Sequence, residues 1–261
     1  MSKQIFGLYG LAQGAQDTKD YSLHFDLTVP LARYVIDHEG DLAFPFKRYQ
    51  IQKVRRGERS QKGRFKEFYQ CDVDVIDKNL STAYDAEVVY ILYTTVEKIF
   101  QQLGLDKKFV IQLNNRKLYD AIFGHLGIEA EKAQKLMSVF DLYYKIEKAD
   151  FEKQIKEIIG DQYVDLSQYL DNDILEGTQN YPETISKAIQ ELKKVYESLQ
   201  SRGVNVKFDP YIVRGLEYYN GTVFETFIEN NRDFGSICSG GRFDNLVGYI
   251  RTNTGKKGAE Y

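Results

Sequence analysis

The chain has 261 residues, 43% of them hydrophobic, and a formal net charge of −3. That is enough apolar material for a substantial core, which excludes a disordered chain, and too little positive charge for general adhesion to nucleic acid. No stretch approaches the roughly 18 continuous apolar residues of a membrane helix, the start MSKQIFGLYG lacks a signal-peptide pattern, and Cys71 and Cys238 alone make no disulfide framework. The expectation is a cytoplasmic protein, off the membrane, with two small core thiols.

Residues 23–27 read as a short strand, and Thr28 followed by Pro30 starts a helix through LARYVID that exits near Gly40. Residues 48–76, RYQIQKVRRGERSQKGRFKEFYQCDVDVI, read as a hairpin of two alternating strands around a basic turn. On its second strand Phe68, Gln70, Asp72 and Asp74 share one face, while Tyr69, Cys71, Val73 and Val75 share the other. One face is greasy and the other functional. From Lys53 to Lys66 the turn carries Lys53, Arg55, Arg56, Arg59, Lys62, Arg64 and Lys66 against the single acid Glu58, a positive field that attracts phosphates.

Residues 81–103 place Ala83, Val88, Ile91, Leu92, Val96, Ile99, Phe100 and Leu103 at helical spacing and stop at Gly104. KFVIQL at 108–113 alternates as a strand, with a helix following over 116–123. From about Gly127 the composition turns to Lys, Glu and Leu, the mark of a helical insertion. Its last helix carries Ile185, Ala188, Ile189, Leu192, Val195, Tyr196 and Leu199 between Pro182 and Gly203. Strands return at 206–211, 222–228 and 236–239, with turns at Gly221 and around Asn230, Asn231 and Gly235.

Polar residues interrupt the apolar pattern in four places: Asp26 with Thr28, the hairpin with Gln70 and Asp74, residues 214–219, and residues 239–242. Each has an ordinary reading alone, as a bulge, a surface arginine or a solvated edge carboxylate. Together they mark a site. His24, His38 and His125 have no partners at ligand or triad spacing and read as structural or surface residues; no Cys/His cluster suggests zinc and no metal ligands are assigned.

At these residues the chain resembles the histidyl-tRNA synthetases, a family of class II aminoacyl-tRNA synthetases. VRRGERSQKGRFKEFYQCDVDV is similar to the family's motif 2, VRGLEYYNGTVFE and SGGRFDNLV to its two histidine-specific signatures, and FDLTVPLARY to the segment upstream of motif 2. The resemblance implies an α+β fold, a class II synthetase-like antiparallel sheet flanked by helices. It assigns residues 1–126 to the first part of the catalytic core, 127–205 to a helical insertion domain and 206–261 to the second part of the core.

It also implies the ligase chemistry: histidine and ATP give histidyl-adenylate and pyrophosphate, and the histidyl group then passes to tRNA(His). Arg56 and Arg214 would be the catalytic pair on the α-phosphate, since planar guanidinium groups bind neighbouring oxygens in pairs. Glu58, Arg64 and Phe65 would join Arg56 around ATP, with Phe65 stacking on the base, and Mg²⁺ would accompany the triphosphate. Asp26, Thr28 and Gln70 would bind the α-ammonium of histidine, and Asp74 and Tyr219 its ring nitrogens. Tyr218, Gly240 and Gly241 complete the implied pocket, the glycines letting backbone approach the adenylate. Strand-end packing is the competing reading of Tyr218 and Tyr219. Asp26 and Asp74 stand where many members use glutamate, and Arg55 where motif 2 usually has phenylalanine.

Motif 1, motif 3 and the anticodon-binding domain have no counterpart in the chain, so a fragment of a synthetase is expected, from a family whose full-length members are homodimeric. The insertion is expected to lean over the tRNA acceptor arm. Two other readings stay open: a synthetase-like regulatory subunit of ATP phosphoribosyltransferase, whose members tend to lose the arginine of RGLxYY, and a general nucleic-acid-binding hairpin resting on the basic tip.

Overall fold

The computed structural model describes residues 4–8, 21–58, 63–170, 174–175, 180–213 and 218–254, the last two by backbone alone. It divides into two compact units, Met1–Leu80 with Asn245–Tyr261, and Ser81–Asp244. In chain order the first unit holds β1 (Gly7–Leu8), β2 (Tyr21–Ser22), α1 (Thr28–His38) and the hairpin β3 (Phe46–Arg55) with β4 (Glu67–Ile76). The second unit holds α2 (Thr82–Gln102), β5 (Phe109–Asn115), α3 (Arg116–His125), α4 (Ala130–Phe140), α5 (Lys148–Ile159), α6 (Gln162–Ser167), α7 (Glu183–Gln200), β6 (Val206–Phe208), β7 (Thr222–Ile228) and β8 (Cys238–Gly241). Helix α8 (Leu246–Thr254) belongs to the first unit. The architecture is α+β.

Local chemistry explains most boundaries. Ser81 caps α2 by accepting from the Ala83 N–H at 3.2 Å, and Gly104 at φ +63° ends the run in the left-handed region that glycine adopts without a Cβ penalty. Asn115 turns the chain from strand to helix, its side chain accepting from the Lys117 N–H at 2.9 Å. In the second unit the sheet order is β6-β5-β7-β8, with β5 parallel to β6 and antiparallel to β7. A parallel pair needs a long crossover, and the helices α3 to α7 supply it. Those helices share one apolar cluster with the sheet: Leu118, Ile122, Leu136, Phe140, Ile155 and Leu192 pack with Ile111, Leu113 and Phe224. Burying each such side chain contributes about 1.5–3 kcal/mol.

The first unit has a smaller cluster, in which Leu31, Val35 and Ile76 meet Leu42, Phe44 and Phe46. An ion pair between Arg251 and Glu39 joins α8 to the end of α1. β3 and β4 pair over ten residues each, from Phe46↔Ile76 to Arg55↔Glu67.

Four expectations need correction. Residues 23–27 are not a strand: Asp26 accepts from the Val29 N–H at 3.3 Å, and this side-chain cap turns the chain into α1 instead. The strand expected over 206–211 stops at Phe208, because Asp209 and Pro210 follow and proline has no N–H for the ladder. The strand expected at 236–239 lies at Cys238–Gly241. Cys71 is exposed and Cys238 half-buried, so neither is a core thiol; Cys71 faces outward opposite Ile51.

Candidate functional site

Strand pairing in the hairpin sets Arg48 opposite Asp74, Gln50 opposite Asp72 and Gln52 opposite Gln70. Period-two alternation then gathers all six on one face, and this polar face is the less exposed of the two. The apolar face points outward, with Tyr49 78%, Ile51 63% and Tyr69 67% exposed.

Hydrogen bonds run along both strands of the polar face. Arg56 donates through Nε to the Phe25 carbonyl at 3.1 Å and through Nη2 to Gln70 Oε1 at 3.0 Å. Its guanidinium carbon lies 4.9 Å from the Phe25 ring centroid and 5.2 Å from that of Phe68. Two rings and two acceptors thus fix the plane of a group that would otherwise sample many rotamers. Gln70 Nε2 in turn donates to Asp72 Oδ2 at 3.0 Å. On the neighbouring strand Arg48 donates to Gln50, Gln50 to Gln52, and Gln52 meets His24 Nδ1 at 2.9 Å.

Three carboxylates share this face, and burial raises the pKa of each. Asp74 is pushed up to about 6 by burial, with Arg48 opposing and Asp72 adding to the shift. Asp26 and Asp72 are raised for the same first reason, with Arg56 opposing in both. Arg48 Nη2 donates to the Leu27 carbonyl at 3.2 Å and lies 3.0 Å from Asp74 Oδ2 as an ion pair. Oδ2 is buried, and the Arg48 guanidinium offsets part of the cost of that burial. A carboxylate oxygen with one cationic neighbour still has lone-pair capacity for a ligand donor.

Of the residues expected from sequence, Arg56 is hydrogen-bonded to Gln70, Asp74 is paired with Arg48, Asp26 interacts with the charge of Arg56, and Thr28 is buried at the first position of α1. Glu58 pairs with Arg64 at 3.6 Å, and Phe65 is 70% exposed. Lys53 and Arg55 are both held by Glu67 at 2.7 Å, whose single negative charge offsets one of their two positive ones. Arg59 and Lys62 lie outside the described residues, as does Arg214. Arg48, Gln50, Gln52 and His24 escaped the sequence reading. Extending the alternation of 68–74 onto the partner strand would have found the first three.

The second unit gathers the other expected residues. The Tyr218 and Tyr219 rings lie 4.7 Å apart, with Phe243 5.8 Å and 6.2 Å away. A Cβ on Gly241 would sit 2.5 Å from the Thr222 carbonyl oxygen and 2.9 Å from Tyr219 Cδ1; one on Gly240 would sit 2.8 Å from Phe224 Cζ. The absent side chains thus make room for Tyr219 and Phe224. Arg242 spans Asp85 at 3.4 Å and Asp244 at 2.7 Å, and Thr222 donates to Asp85 at 2.6 Å, so the arginine of SGGR ties β8 to α2.

The family model for histidyl-tRNA synthetase matches residues 15–258. The chain is 42% identical over 260 residues to the histidine–tRNA ligase of Finegoldia magna, covering 94% of this chain and 57% of that protein. It is 42% identical to that of Clostridium tetani over 244 residues, covering 87% and 54% respectively. It therefore spans about half the length of the curated relatives it matches. Among solved structures, a histidyl-tRNA synthetase from Nostoc superposes with a TM-score of 0.78 at 33% identity, over 97% of this chain and 58% of that one. An ATP phosphoribosyltransferase regulatory subunit/histidyl-tRNA synthetase from Bacillus halodurans does so with 0.75 at 25%, over 96% and 64%. With motif 2 laid out on the hairpin and both signatures bordering β7 and β8, the chain belongs to the histidyl-tRNA synthetase family.

Proposed function

We propose that this chain is the histidine-activating part of a histidine–tRNA ligase. A histidine carboxylate oxygen attacks the α-phosphorus of ATP, the bond from that phosphorus to the bridging oxygen breaks, and pyrophosphate leaves; the histidyl group then passes to tRNA(His). The observation that carries this reading is the polar hairpin face, where a guanidinium held by two aromatic rings stands with the half-buried Asp72 and Asp74 and interacts with the charge of the buried Asp26.

Arg56 would contact the α-phosphate together with Arg214, stabilising charge that grows in the transition state. Asp26, Thr28 and Gln70 would receive the α-ammonium. Asp74 Oδ2 would accept from the imidazole N–H, with Tyr219 addressing the other nitrogen and Tyr218 beside it. A pocket that hydrogen-bonds both ring nitrogens rejects apolar amino acids, because its own buried polar atoms would stay unpaired. Glu58, Arg64 and Phe65 would hold ATP, and Gly240 and Gly241 would border the adenylate. Mg²⁺ would accompany ATP, held mainly by the nucleotide, and neutralise its phosphates. The segment 127–205 would meet the tRNA acceptor arm.

Histidine-dependent exchange of labelled pyrophosphate into ATP by the full-length gene product tests the reading, and absence of exchange contradicts it. The structural likeness to the Bacillus halodurans protein favours a second reading, a regulatory subunit of ATP phosphoribosyltransferase. That reading requires stimulation of the transferase on mixing, and no stimulation removes it.

A further inference from the structure

Asp209 is a buried carboxylate, 3% exposed, just after β6 and five residues before Arg214 in the sequence. Three separate segments converge on it or its neighbours. From the connection between α4 and α5, the Tyr144 hydroxyl donates to Asp209 Oδ2. The adjacent Tyr143 ring stacks on Tyr211 with centroids 3.4 Å apart and planes 10° apart. From the turn after β7, Arg232 lies over the Tyr144 ring at 3.4 Å and the Phe227 ring at 4.3 Å, and donates to Gln112 Oε1 at 2.9 Å. From β5, the fully buried Asn114 amide donates to the Pro210 and Ile212 carbonyls at 3.3 Å and 3.0 Å. Asp209 itself accepts from the Tyr211 N–H at 2.9 Å.

A turn of this kind needs only a neutral cap on Tyr211. A serine or asparagine would serve without the cost of removing a carboxylate from water. The charged group makes physical sense with its two partners: a hydroxyl donates a strong, directional bond to it, and a cation stacked on that same tyrosine offsets its charge. We infer that Tyr144 and Asp209 are positioning residues, a clasp through which the segment 127–205 fixes the chain entering the VRGLEYY signature and thereby sets the rate of histidine activation. This rests on the function proposed above, and it gives the helical segment a role in the first step as well as at the tRNA.

Tyr144→Phe keeps the ring and its stack on Arg232 and removes only the donor. In the full-length gene product, amide hydrogen exchange at 211–213 is expected to quicken about tenfold while β3 and β4 keep their rates. For pyrophosphate exchange, kcat is expected to fall about tenfold, with KM for ATP within about twofold, alongside a lowered melting temperature because a buried carboxylate oxygen loses its donor. Tyr144→Phe combined with Asp209→Asn should cost less than the product of the two single effects, because one bond is lost in both. A purely structural contact would lower the melting temperature and leave kcat alone. Wild-type kcat in Tyr144→Phe, or a lowered kcat without faster amide exchange at 211–213, overturns the clasp while the ligase reading stands. A wild-type protein without histidine-dependent exchange overturns both.

Discussion

The first unit's hairpin and the second unit's core solve opposite problems. The hairpin turns a face of arginines, glutamines and carboxylates inward and leaves Tyr49, Ile51 and Tyr69 exposed. The second unit packs a large apolar cluster between helices and sheet, and the buried side chains of Asn114, Asn115 and Asp209 within it are hydrogen-bonded. A protein gains stability by the second arrangement; the first, with carboxylate pKa values raised by burial, is tolerable where a ligand completes it.

The largest expected effect sharpens this contrast from the stability side. Phe140→Ala empties the centre of the second unit's cluster and should lower unfolding free energy by about 3–5 kcal/mol in a denaturant titration. Arg56→Ala should slow pyrophosphate exchange by about 3 kcal/mol in barrier, over a hundredfold, while shifting the denaturation midpoint far less. If Arg56→Ala instead cost mainly stability, the hairpin face would be structural and the contrast would break.

Gly241→Ala forces a Cβ against the Thr222 carbonyl and Tyr219 and should destabilise by about 1–3 kcal/mol in the same titration. Asp74 tests the hairpin through pH. Its carboxyl is raised in the folded protein from 3.8 to about 6, so the ligand-free protein holds that proton more tightly than the unfolded chain does. The stability this contributes is present below pH 3.8 and is lost as pH rises through about 6. Asp74→Asn should therefore raise ligand-free stability at neutral pH. It should also weaken histidine binding about tenfold there and flatten the decline in affinity that the wild type shows as pH falls below about 6, both measurable by calorimetry. Smallest of all, Tyr49→Thr on the exposed face should change stability by no more than about 0.5 kcal/mol.

Much of this was legible in the sequence, and the failures follow a pattern. Helical spacing located α2 and α7 almost to the residue, because Ser81, Gly104, Pro182 and Gly203 punctuate them. The motif 2 resemblance singled out Arg56, Gln70 and Asp74 on the hairpin, and the segment upstream of it singled out Asp26. Hidden were the residues whose role depends on cross-strand register, Arg48, Gln50 and Gln52, because pairing is set by the hairpin's length and not by local composition. Asp26 was read as part of a strand since its capping bond is made three residues on. Asp209 gave no signal at all: its partner Tyr144 is 65 residues away.

The most direct measurement is a crystal structure of the full-length gene product with histidine and ATP. The account predicts imidazole nitrogen within hydrogen-bond distance of Asp74 Oδ2 and the α-phosphate oxygens against the Arg56 guanidinium. Histidine bound elsewhere, or Arg56 turned away from the nucleotide, would contradict it.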